Sequence, residues 1–334
     1  MRNSNLPKGL MLAGLFLCLV LTGISIFPQP ARGEMILKVA TGAIGGNWFP
    51  LGAVVCTIIN EKIEGVKAAP TLGGGVSNLK ALNAGKQDLS ITNSITDNKA
   101  WNGEAPFEKK YRNVRGAWMI YPEISHIFVT KESGIQKVED LKGKRVSPMY
   151  KGATGNVVAG LILKEYGMSF KDFSKTVLIA YSGGADLMKD KHLDAYMITT
   201  MAPSAPFLDV CTFMPTRIIA ASPEVIKRLI EKYPAFTEVQ IPGGTYPGNP
   251  DPLDTFGYKC GFTARKDLPS DLVYKITKEF WTNYKVTHKV NPSFSRYIKP
   301  ENALKGMVLP LHAGAYKYYK EAGYEIPKKL MPID

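Results

Sequence analysis

The stretch "LKVATGAIGGNWFPLGAVV", Leu37 to Val55, decides how the chain is read. A short apolar run, LKVAT, enters a glycine turn and then a pattern with Leu51, Val54, Val55, Ile58, Ile59 and Ile63 on one helical face. Asn47 is a plausible N-cap, and Pro50 is tolerated in a first turn. Strand, glycine turn and helix suggest a nucleotide-phosphate loop, but the glycines stand at 42, 45 and 46. That spacing fits neither G-x-G-x-x-G nor a Walker loop, and no Lys-Ser or Lys-Thr follows. What survives is the physics: free N–H groups at a helix start attract any anion, carboxylates included.

Further along, the same unit recurs. "VKAAPTLGGG" reads as a strand with a glycine-rich end, "VSNLKALNAG" as a helix closed by Gly85, and "DLSITNS" as a strand ending at Thr92-Asn93-Ser94. The apolar "AWMIYPEISHIFVT" is long enough to cross between two lobes. After it come "KRVSPMYKGATGN", a strand and its loop, the helix "VVAGLILKEYG", "TVLIAYSGG", the helical "ADLMKDKH" and the strand "LDAYMITT". "TFGYKCGFTAR" can return the chain to the first lobe, and the remainder from Ser270 reads as helical. Strands alternating with helices predict an α/β fold with parallel-type sheets, and in such sheets ligands bind at the C-terminal strand ends. The expected architecture is two lobes, residues 34–122 plus 255–334 and residues 123–254, with a ligand cleft between them. At 334 residues the chain exceeds what one core usually fills.

The first 33 residues follow another grammar. Arg2 and Lys8 precede the uncharged run Leu10 to Phe27, Pro28 and Pro30 end it, and Ala31 and Gly33 set up a cut before Glu34. This predicts a cleaved signal peptide and a periplasmic location, with an uncleaved anchor as the alternative. Cys18 lacks the small preceding residues of a lipobox. Removing Arg2, Lys8 and Arg32 lowers the formal net charge from +13 to +10. The remaining basic residues are scattered, which argues against nucleic acid and for a general field that draws in small anions. Cys56, Cys211 and Cys260 show no metal spacing; Cys56 suits a buried apolar position, and a Cys211–Cys260 bridge stays open.

The segments "ATGAIGGNWFPLG", "LGGGVSNLKALNAGKQDLSITNS", "WNGEAPF", "VRGAWMIYPE", "SGIQKVEDLKGKRVS", "IPGGTYPG", "ARKDLPSDLVYKITK" and "LPLHAGAYKYYKEAG", in this order, resemble the TAXI-type solute receptors of TRAP transporters. The resemblance runs from Leu37 to Pro327. It implies a type II periplasmic binding protein that closes on a small organic anion, commonly glutamate or 2-oxoglutarate, and hands it to the sodium-driven TRAP permease. The chain departs from the family at Asn47-Trp48-Phe49, where relatives show Thr-Tyr-Tyr, and at Gly152-Ala153-Thr154-Gly155, where they show Gly-Ser-Gly-Thr.

Catalysis has little support. His126, His192, His288 and His312 stand in no HExxH or Ser-His arrangement, and His312 suits a helix cap. Asp194 lacks a paired acid/base context. Glu123, after Tyr121-Pro122 at the crossover, reads as a hinge residue, a partner for a ligand amine, or a solvated acid. Binding needs only neutral donors and helix starts. The expected substrate-binding residues are Gly46, Asn47, Trp48, Gly74, Asn93, Ser94, Tyr121, Thr154, Gly155, Asn156, Thr199, Thr200 and Tyr246, with Tyr150 and Tyr181 as further aromatic walls and Lys151 as the nearest cation. The expected protein is a monomer that uses no cofactor or metal. Alternatives of other classes are a secreted enzyme acting on a small carboxylate, a binding protein for a sensor or ABC transporter, and an adhesin without a cleft.

Overall fold

The computed structural model describes residues 34–333. The apolar run Leu10 to Phe27 and Cys18 lie outside them. Among the described residues no helix is long and apolar enough to cross a membrane.

The chain opens with strand β1 (Met35–Ala40), helix α1 (Trp48–Lys62), β2 (Val66–Thr71), α2 (Gly75–Asn83), β3 (Leu89–Asn93) and α3 (Ser94–Asn102). β1 pairs in parallel with β2 and with β3. α1 lays Leu51, Val55 and Ile59 against this sheet, and each such buried aliphatic side chain contributes roughly 1.5–3 kcal/mol. The loop before α1 turns at Gly45, whose φ of +87° lies in the left-handed region that glycine enters without a Cβ clash. α3 is a correction: Thr92-Asn93-Ser94 is not simply a loop. The helix starts at Ser94, with the Asn93 side chain accepting from Thr96 N at 3.0 Å.

β4 (Val114–Thr130) is seventeen residues long, all buried. The second group of elements is β5 (Arg145–Ser147), α4 (Thr154–Glu165), β6 (Lys175–Thr176), α5 (Tyr181–Lys189), β7 (Ala195–Thr200), α6 (Ala205–Phe213), β8 (Thr216–Ile219), α7 (Pro223–Lys232) and β9 (Thr237–Ile241). α7 shows the local logic: the Ser222 hydroxyl accepts from Val225 N, Pro223 opens the first turn, and Val225, Ile226 and Leu229 form the buried face. β10 (Leu253–Arg265) then runs back, and α8 (Ser270–Asn283) and α9 (Ala313–Glu321) close the chain. The His312 ring caps α9, accepting from Gly314 N at 3.1 Å.

The sheet order is β2-β1-β3-β10-β4-β7-β5-β6, with β8 on β4 and β9 on β10. β4 and β10 are antiparallel to each other and to their other neighbours, so the sheet is mixed, with parallel flanks around an antiparallel spine. One lobe buries Trp118 between Phe262 and Phe280, ring centroids 4.7 and 4.6 Å away. The other packs Phe128 on Phe207 at 4.4 Å. Cys211 and Cys260 fall in different cores, and Cys56, Cys211 and Cys260 are all free and buried. The possible Cys211–Cys260 bridge is therefore absent.

Candidate functional site: a cleft between two lobes

Five helix starts lie at the strand ends that face one another: α1, α2 and α3 in the first lobe, α4 and α5 in the second. The N-caps of α1, α2, α4 and α5 make no side-chain capping bond. Such helix starts carry unsatisfied N–H groups and a positive dipole end.

Several of the contacts between the lobes lie at the helix starts. Asn93 Nδ2 donates to Thr154 Oγ1 at 2.6 Å. The Tyr150 hydroxyl donates to Gly73 O at 2.7 Å. At the start of α2, Val76 N and Ser77 N both point at Gly152 O, at 3.1 and 3.4 Å, so a protein carbonyl takes the helix dipole in this closed arrangement. The lobes approach so closely at Gly75 that a Cβ there would stand 2.0 Å from Thr154 Oγ1.

Behind these contacts is a narrow cavity. It is closed down to nearly a single water. Gly42, Gly46, Trp48 and Gly74 line it from the first lobe, and Tyr150, Thr154, Gly155, Tyr181 and Thr199 from the second. Met149, buried with φ at +64°, holds an uncommon conformation for a side chain of its type beside this wall.

Glu123 also lines the cavity. It sits on β4 opposite Tyr258 of β10 and is 4% exposed, which removes the solvated-acid reading. The Tyr258 hydroxyl lies 3.1 Å from Glu123 Oε2 and 2.7 Å from Thr199 Oγ1. Burial pushes the carboxyl pKa up to about 8, against the lowering effect of Tyr258 and of the Trp48 indole N–H nearby. No Lys or Arg is among the described residues that line the cavity.

Of the residues expected from sequence, Gly46, Trp48, Gly74, Thr154, Gly155 and Thr199 stand on the cavity wall. The others have different surroundings. Asn47 accepts from Asn291 Nδ2 at 3.2 Å. Asn156 donates to Pro148 O within its own lobe, because α4 begins three residues earlier than its apolar pattern and puts Asn156 in the first turn. Ser94 reaches Ala235 O, and Thr200 lies in β7 opposite Ile124. Tyr121 stacks on Phe294 behind the wall, its hydroxyl without a partner. Tyr246 is built into the second lobe's core, its hydroxyl accepting from Ser204 N and meeting His126 Nε2. Lys151 is exposed, and Asp194 pairs with Arg145 at 2.6 Å. Among the described residues there is no group of three or more His, Cys, Asp or Glu that could hold a metal.

With this geometry in place, comparison with known families finds a model described as the NMT1-like family matching residues 39–323. The chain belongs to the NMT1-like family. A solved structure from Bordetella bronchiseptica aligns with a TM-score of 0.51 at 16% identity, over 86% of this chain and 82% of that one. The MOPS-bound alkanesulfonate-binding protein SsuA of Xanthomonas axonopodis pv. citri gives 0.46 at 16% identity, over 87% and 92%. PhnD1 of Prochlorococcus marinus, in complex with methylphosphonate, gives 0.48 at 13% identity, over 87% and 99%. At such identities a structural likeness speaks to fold alone. The NMT1-like chain has the two-lobed type II periplasmic binding protein fold with its cleft between the lobes.

Proposed function

We propose that this NMT1-like protein is an extracytoplasmic solute-binding protein that captures a small organic acid between its lobes and releases it, unchanged, to a membrane permease. The observation that carries the reading is the convergence of helix starts without side-chain caps, α1 from one lobe and α4 and α5 from the other, on one cavity. An anion placed there gains direct N–H hydrogen bonds and a favourable dipole without any neutralising side chain. Binding in a cleft shared by two lobes stabilises the closed form through differential contacts, the basis of hinge closure.

In this reading the lobes are residues 34–122 plus 255–334 and residues 123–254. The segment 1–33 is removed on export to the periplasm, and the partner is the TRAP permease that serves TAXI-type receptors. The resemblance set out above supports that partner and the acids glutamate and 2-oxoglutarate. The protein acts as a monomer without a cofactor or metal.

Thermal unfolding with glutamate, 2-oxoglutarate, succinate and related carboxylates tests the reading. A true ligand at a hundredfold excess over its Kd stabilises the fold by about 2.7 kcal/mol, a shift of several degrees. Unchanged melting with every small carboxylate contradicts it.

A further inference from the structure

We propose that Glu123 selects the ligand, its carboxylate taking the ammonium group of an amino acid whose own carboxylate lies against the helix starts at Thr154 and Tyr181. This rests on the solute-binding reading and narrows its substrate class.

Glu123 lies on the crossover strand β4, at the register position where β10 returns, so the sheet fixes it relative to both lobes. Its side chain is buried and faces the cavity. The Tyr258 hydroxyl donates to Oε2 of this carboxyl. The Trp48 indole N–H, close by, has no hydrogen-bond partner of its own.

The titratable groups that face Glu123 are Tyr121 on its own strand, Tyr258 and Cys260 on β10, Tyr181 on α5 and Tyr150 before α4. None can supply positive charge. With no cation on the cavity wall, the buried carboxyl keeps its proton near neutral pH, and it ionises only where a positive charge is brought to it. A ligand ammonium brings that charge, and the same ligand's carboxylate suits the uncapped starts of α4 and α5 opposite. With the lobes parted to admit it, one zwitterion pairs both poles, whereas a keto acid or plain dicarboxylate brings Glu123 no cation.

Isothermal titration with matched pairs that differ only in amine against ketone tests this: L-glutamate with 2-oxoglutarate, and L-leucine with 4-methyl-2-oxopentanoate. The expected result is binding of at least one amino acid, tenfold or more tighter than its keto partner. Its affinity should rise with pH from 6 to 8 as Glu123 gives up its proton; the facing tyrosines and Cys260, their pKa values raised by burial, stay protonated, and the amino acid stays an ammonium. E123Q should lose at least tenfold in affinity together with the pH slope, and E123D should recover part of both. Should E123Q fail to fold, the pairs and the pH series on the unaltered protein still decide. A keto acid that binds as tightly as its amino acid, or an affinity that falls with rising pH, overturns this proposal and leaves solute binding standing. Silence from both members of every pair and from all other carboxylates overturns both.

Discussion

Asn93 Nδ2 donates to Thr154 Oγ1 at 2.6 Å, tying the end of β3 in one lobe to the first turn of α4 in the other. Both groups are buried, so removing either leaves the other short of a partner. Thr154→Val should cost about 1–3 kcal/mol of closure or ligand affinity, measured by titration. Asn156→Ala, whose side chain bonds only to Pro148 O in its own lobe, should change affinity far less. Equal losses in the two variants would contradict the assignment of Thr154 to the cleft.

The space at Gly75 bears on motion. A Cβ there would meet Thr154 Oγ1 at 2.0 Å and Asn93 Nδ2 at 2.7 Å, so Gly75→Ala wedges the lobes apart. Small-angle scattering should give a larger radius of gyration for this variant than for the unaltered protein under saturating ligand. The affinity should fall as well. An unchanged radius would show that the contact gives way without opening the cleft.

Much of the architecture was legible because it rests on periodicity. The strand–helix alternation, the length of β4, the return of β10 and the His312 cap follow from local pattern and chain order. The α3 helix was not legible, since SITDNKAWN carries little apolar periodicity and its start is set by the Asn93 cap. The site was legible in part. Glycine-rich ends at successive strands pointed to Gly46, Gly74 and Thr154, all on the cavity wall. Tyr246 went to the second lobe's core through long-range partners, Ser204 and His126, which no local spacing reveals. Glu123 offered three readings in the sequence, and only the pairing of β4 with β10 places it in the cavity.

A second buried acid gives a stability prediction that does not depend on ligand. Burial raises the Asp97 pKa to about 8, against a lowering hydrogen bond from Thr92, and Oδ1 has no partner. Between about pH 4 and 8 the folded protein keeps a proton that the unfolded chain releases, so this group's contribution to stability falls as pH rises through that window. Asp97→Asn cannot ionise. Its Tm relative to the unaltered protein should therefore climb from pH 5 to pH 8. A difference that stays flat or falls would contradict the raised pKa.

Buried His126 titrates with the opposite consequence. Burial lowers its pKa to about 4, despite the hydrogen bond to Ile124 O, so the unfolded chain takes up a proton first as pH falls below about 6.5. Stability from this group is lost between about pH 6.5 and 4. His126→Gln, compared with the unaltered protein by thermal unfolding at pH 7 and pH 4.5, should show a smaller loss on acidification. An equal or larger loss would place the acid sensitivity elsewhere.

The central claim is that the cleft holds a small acid and returns it chemically unchanged. Native mass spectrometry of the purified protein, before and after prolonged incubation with the carboxylates that stabilise it, tests this most directly. The account predicts a one-to-one complex whose bound mass equals that of the acid supplied, recovered intact on denaturation. A bound or released mass that differs from the acid supplied, or no complex at any concentration, would contradict it.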